Sequence, residues 1–124
     1  MAFDPGRPWY HGSPIELAVL REGSTITQQE NLARTFSHKP TIVSISDDSR
    51  IKHNGTRPGY LYAVSENVGP GDVVPHPRTT MAPDAEWLTT RELRVRLLCA
   101  TRPAPEEALT PDELAAIKQH LEKR

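Results

Sequence analysis

The sequence predicts an α+β domain built on a small sheet with long loops, and three observations lead there. Thr41-Ile42-Val43-Ser44-Ile45 and Gly59-Tyr60-Leu61-Tyr62-Ala63-Val64 are dense in β-branched and aromatic residues, as half-buried strands are. Residues 28–37 and the stretch after Thr110 carry helix-start signals followed by apolar residues on one face. Twelve prolines and an apolar fraction of 36% leave much of the remainder to irregular connections. At 124 residues the chain is expected to form one domain, 1–124, with a modest core.

In chain order, 1–8 reads as an irregular arm, and Trp9-Tyr10-His11 as a short strand stopped by the turn signal Gly12-Ser13-Pro14. Leu17 and Leu20 suit a short helical turn that Gly23 ends. Gln28 to Ser37 is a helix with Thr27 as its cap, Glu30 at the third position and Leu32, Ala33 and Phe36 on one face; His38-Lys39-Pro40 stops it. After the strand 41–45, the polar stretch 47–58 with its Asn54-Gly55 reads as an exposed loop. The second strand, 59–64, leads into a proline-rich connection, 69–83, of a length usually associated with lids. A strand begins near Glu86, breaks at Thr89-Thr90 and resumes at Leu93, where Leu93, Val95, Leu97 and Cys99 alternate with Arg94, Arg96 and Leu98. Thr110-Pro111-Asp112-Glu113 combines an N-cap, a proline at the first helical position and a capping-box acid. It opens a C-terminal helix within 110–124 that aligns Leu114, Ile117 and Leu121.

A formal charge of −1 gives no whole-protein field for nucleic acid or an acidic membrane, although a local patch would suffice for a nucleic-acid substrate. The single cysteine, Cys99, precludes an intrachain disulfide and fits a reducing compartment. The sequence has neither a signal-peptide pattern nor an apolar run near the roughly 20 residues of a membrane helix, so a soluble, cytoplasmic protein is expected. No Cys/His set has zinc-site spacing, and no metal is expected: His38 and His53 read as loop residues, and His76 and His120 add no ligand pattern. Arg50, Lys52 and Arg57 form a small basic patch that reads as a solvated surface.

Two segments carry chemistry. Tyr10-His11-Gly12-Ser13 sets a donor–acceptor ring at a strand end beside a glycine, and Glu86-Trp87-Leu88 sets a carboxylate at the mouth of a strand entering the core. Taken alone, His11 is a structural histidine or a ligand contact, and Glu86 an exposed acid or a catalytic group.

Together, in this order, the two segments resemble the signature strands of the ADP-ribosyltransferase superfamily. The resemblance runs over roughly residues 9–99, and the His-Gly-Ser and Glu-aromatic strand starts are similar to those of its poly(ADP-ribose) polymerase-like, diphtheria-toxin-type branch. Looser similarity extends to the small bacterial rifamycin-modifying ADP-ribosyltransferases, which open with Tyr-His-Gly. It implies two packed, mainly antiparallel sheets with flanking helices and a cleft that takes NAD as co-substrate. The expected activity is that of a mono-ADP-ribosyltransferase, a glycosyltransferase-class enzyme acting on an unknown protein, nucleic-acid or small-molecule acceptor.

By the same resemblance Glu86 and His11 are catalytic, and His11, Gly12, Ser13, Thr25, Thr27 and Phe36 bind NAD. His11 would hydrogen-bond the adenosine ribose, the Gly12 backbone would hold the nicotinamide amide, and Phe36 would stack on the pyridinium ring. Thr25 and Ala33 depart from the branch, which has a tyrosine and a serine there. Thr25-x-Thr27 and Asp84-x-Glu86 are closer to the arginine-modifying branch, where Asp84 would position the acceptor. Two alternatives share parts of this reading: an RNA 2′-phosphotransferase-like enzyme using NAD, and a non-catalytic module binding NAD, ADP-ribose or a protein partner.

Overall fold

The computed structural model describes residues 6–45, 50–77 and 85–122, with side chains through Gln119. Asp84, the side chains of His120 and Leu121, and the end of the 69–83 connection lie outside the described residues. The elements are β1 (Tyr10–Ser13), β2 (Val19–Leu20), β3 (Thr25–Ile26), α1 (Glu30–Phe36), β4 (Val43–Ile45), β5 (Ile51–His53), β6 (Gly59–Val64), β7 (Val73–Pro75), β8 (Trp87–Thr89) and β9 (Leu93–Thr101). A 3₁₀ turn, Pro105–Glu107, and α2 (Pro111–Glu122) complete the chain. Every named strand pair is antiparallel, which makes the fold α+β with antiparallel sheets and two α-helices among the described residues.

The larger sheet runs β1-β6-β9-β2, the second β3-β8-β7, and β4 with β5 forms a separate hairpin. The core lies between the first two: Trp9, Leu20, Tyr62, Leu93 and Val95 from the larger sheet and its flank cluster with Ile26, Val73 and Trp87 from the smaller. Trp9 and Trp87 meet edge to face, 5.9 Å apart at 87°, the arrangement their ring quadrupoles favour. The break expected at Thr89-Thr90 is where the chain changes sheets, from β8 to β9. Arg91, in the connection, holds this corner with bonds to Asp72 at 2.9 Å and Glu66 at 3.0 Å. The second oxygen of Glu66 accepts the Arg94 N–H.

Three expectations are corrected. Leu17 and Leu20 form no helical turn: Leu20 pairs with Leu93 in β2, while the buried Tyr62 hydroxyl donates to the Ile15 carbonyl and accepts the Leu17 N–H. The polar stretch 47–58 contains β5, because Ile51 to His53 closes a hairpin with β4 and turns His53 inward. The 69–83 connection contains β7, whose Pro75 is tolerated because β7 is a sheet edge.

The expected alternation along 93–99 also fails after Val95. Tyr62 pairs with Leu97 and Leu61 with Cys99, so Leu98 is the extra residue of a bulge. The bulge turns Cys99 to the face opposite Leu97, where it is exposed, and Leu97 itself is 54% exposed.

The helix starts depend on what their caps are already doing. Thr110 and Glu113 form the reciprocal capping box read from sequence, at 3.0 and 3.1 Å. Thr27 is not the cap of α1, since both its backbone groups bridge Tyr10; the helix begins two residues later, and Thr27 Oγ1 accepts the Gln29 N–H. At the other end Lys39, at φ 56°, takes the left-handed conformation that ends a helix before Pro40.

Candidate functional site

The two sheets touch along a short seam. Tyr10 N–H donates to Thr27 O at 2.7 Å and Thr27 N–H to Tyr10 O at 3.0 Å, forming an isolated bridge between β1 and the end of β3. Continued, this ladder would pair Gly12 with Thr25. Instead, the Thr25 carbonyl lies 2.7 Å from His11 Nδ1, so the side chain occupies the acceptor that the Gly12 amide would have used. Backbone groups of an antiparallel strand alternate in direction, so the Gly12 N–H and C=O project from the same edge as those of Tyr10. The strands separate there and a cleft opens.

That cleft has a volume of about 210 Å³ and is lined by Tyr10, His11, Gly12, Thr25, Thr27, Ala33, Phe36 and Glu86. Glu86 stands immediately before β8. Ile26 lies opposite Trp87, and the same register carried one step sets Glu86 opposite Thr27. Both Glu86 and Phe36 are half-buried. Phe36 comes from the end of α1, whose Leu32 and Ala33 are buried.

Because a carbonyl can only accept, the bond to Thr25 assigns the ring proton of neutral His11 to Nδ1 and leaves Nε2 as an acceptor. Burial lowers the His11 pKa below its ordinary value, partly opposed by that same hydrogen bond. The ring is therefore neutral near pH 7.

Of the residues expected to bind NAD, His11, Gly12, Thr25, Thr27 and Phe36 share the cleft with Glu86. Ser13 does not: it is buried at the end of β1, where its Oγ accepts the Ile15 N–H at 3.2 Å. The bare Cα of Gly12 also has a packing reason. A Cβ there would come within 1.8 Å of the Ala33 carbonyl oxygen and 2.7 Å of Ser37 N, so its missing side chain admits α1.

Lys52 of the basic patch pairs with Glu113 at 3.1 Å. Arg50 lines a second cleft of about 250 Å³ together with Asn31, Arg34, Thr35, Ile51 and Glu107. His38 and His53 are not loop residues at the surface: both are buried, stacked 5.4 Å apart, and grouped with Glu107. Sequence reading missed this grouping because Glu107 is 54 residues beyond His53 and no ligand spacing links them.

No protein family, curated protein or solved structure matches the chain, so a functional reading rests on the residues of the cleft. No described helix is long and apolar enough to cross a membrane.

Proposed function

We propose that the chain is a NAD-dependent mono-ADP-ribosyltransferase with an ADP-ribosyltransferase-like fold, and that the cleft at the sheet seam is its active site. The observation that carries this reading is the convergence of His11, Gly12, Phe36 and Glu86, from separate parts of the chain, on one opening. These residue types suit the chemistry. A neutral imidazole acceptor can take a hydrogen bond from a ribose hydroxyl, and an edge N–H with its C=O offers a primary amide one acceptor and one donor. A half-buried ring offers its face to a cationic pyridinium.

The cleft is smaller than the roughly 300–1,000 Å³ of pockets that enclose a whole ligand, so part of the dinucleotide would lie over its rim. The bond from the ribose to nicotinamide breaks with its electron pair leaving on nicotinamide, and the ribose gains oxocarbenium character. The Glu86 carboxylate stabilises that positive charge and accepts the proton of the attacking acceptor as the new bond forms. Thr25 and Thr27 line the same cleft.

Incubation with NAD labelled on the ADP-ribose and nicotinamide moieties tests the proposal. Release of nicotinamide with transfer or hydrolysis of ADP-ribose is expected. Binding without release would identify a non-catalytic module, and neither binding nor release would overturn the reading.

A further inference from the structure

The structure assigns a divalent-cation site of the zinc class to His38, His53 and Glu107, separate from the cleft and independent of the function proposed for it. One nitrogen from each ring and one carboxylate oxygen lie within 4.8 Å of one another. Tetrahedral zinc, with bonds near 2.0–2.2 Å, sets its ligand atoms about 3.4 Å apart, so a small inward shift brings the three onto one ion. His53 Nε2 and Glu107 Oε2 already stand 3.1 Å apart.

The decisive observation is an orphan. His38 is fully buried, its Nδ1 is 2.8 Å from the Arg57 carbonyl, and its Nε2 has no partner among the described residues. The Arg57 bond assigns the proton to Nδ1, so Nε2 is the nitrogen whose buried lone pair is open to an ion. Buried polar atoms are nearly always satisfied, and a ring fixed at Nδ1 by a backbone carbonyl is the usual outer support of a metal-binding histidine.

His53 is arranged differently. The Gly55 N–H donates to its Nδ1 at 3.0 Å, so Nε2 carries the proton and donates to Glu107. To bind a metal through Nε2 the ring must move that proton to Nδ1. The new Nδ1–H faces the Gly55 N–H, two donors, so the amide of the half-exposed Gly55 must turn aside to water. No proton is gained or lost overall, and the ion takes the place of the proton between His53 and Glu107.

Two imidazoles and one carboxylate favour Zn²⁺ over the oxygen-seeking Mg²⁺ and Ca²⁺. Glu107 also lines the second cleft, and its side chain is 26% exposed, which leaves a path for the ion and for a water as fourth ligand. The ion would tie the 3₁₀ turn to β5 and to the residue pair following α1.

The test titrates the metal-free full chain with Zn²⁺ against a chromophoric chelator. One equivalent should bind and raise the melting temperature, and ring ¹⁵N shifts should report metal at His38 Nε2 and a tautomer change at His53. Since disturbing even an outer support typically costs 10–100-fold in affinity, Glu107→Gln and His38→Gln should each weaken binding by at least about 100-fold. His76→Ala should leave it unchanged. If His38→Gln fails to fold, the Glu107→Gln affinity and the ring shifts of the parent still decide. Absence of binding, equal affinity in Glu107→Gln, dependence on His76, or unmoved His38 and His53 nitrogens would each overturn the assignment.

Discussion

His11 Nδ1 closes on the Thr25 carbonyl at 2.7 Å across the seam between the two sheets, taking the place of the next rung of the β1–β3 ladder. One hydrogen bond thus does two things: it satisfies the Thr25 carbonyl, and it fixes the tautomer that leaves Nε2 as an acceptor.

This tautomer predicts a pH dependence. Folding lowers the pKa of His11 by burial, and that of His38 likewise. Below about pH 6.5 the unfolded imidazoles bind protons that the folded ones still refuse, so stability present above 6.5 declines as pH falls toward the folded values. Denaturant midpoints at pH 7.5 and 5.5 should show this loss in the parent and a smaller one in His11→Gln. NAD affinity should fall over the same direction of pH once Nε2 is protonated. An identical pH dependence in parent and variant would remove His11 from the account.

Gly12→Ala separates packing from ligand approach. The new methyl would meet the Ala33 carbonyl at 1.8 Å, and backbone cannot yield as a flexible side chain can. Overpacking of this kind costs about 1–3 kcal/mol or more, so a clear drop in the denaturation midpoint is expected even without NAD. Unchanged stability with weakened NAD binding would show instead that the bare Cα serves ligand approach.

Much of the frame is legible where the signal is local. The capping box at Thr110 and Glu113, the dense strand 59–64 and the break before Leu93 each depend on neighbours in sequence, and each is found. The strands β2, β5 and β7 have two or three residues each, too few to show a period, and form because a partner edge was waiting. The bulge at Leu98, the contact of Gly12 with Ala33 and the meeting of His38, His53 and Glu107 are all non-local. The resemblance, not residue type alone, nominates His11, Phe36 and Glu86 together with Ser13, and the folded chain sets the first three on one cleft while turning Ser13 away from it.

Tyr62 tests how firmly the core is tied to the loop after β1. Its buried hydroxyl accepts the Leu17 N–H at 2.7 Å and donates to the Ile15 carbonyl at 3.1 Å, and burial raises its pKa. Tyr62→Phe preserves the ring but leaves both backbone groups short of a partner, which should cost about 1–3 kcal/mol in chemical denaturation. A cost near zero would mean that water replaces the hydroxyl there.

Phe36 is half-buried on the cleft wall, and its two roles diverge. A core Phe→Ala typically costs about 3–5 kcal/mol, and a ring that faces an open cleft should cost less. Phe36→Leu should keep the fold and weaken NAD binding in calorimetry, because bulk is retained while the aromatic face is lost. Undiminished affinity would eliminate the stacking role.

The most direct test of the central claim is the rate of nicotinamide release from NAD by the parent and by Glu86→Gln, with NAD binding measured in parallel. A well-placed electrostatic group is typically worth about 2.7–4 kcal/mol in the transition state, or roughly 100- to 1,000-fold in rate. Release by the parent, a fall of that size in the variant and near-equal affinity for NAD in both are expected. Equal rates in the two proteins, or no release by the parent, would contradict the claim.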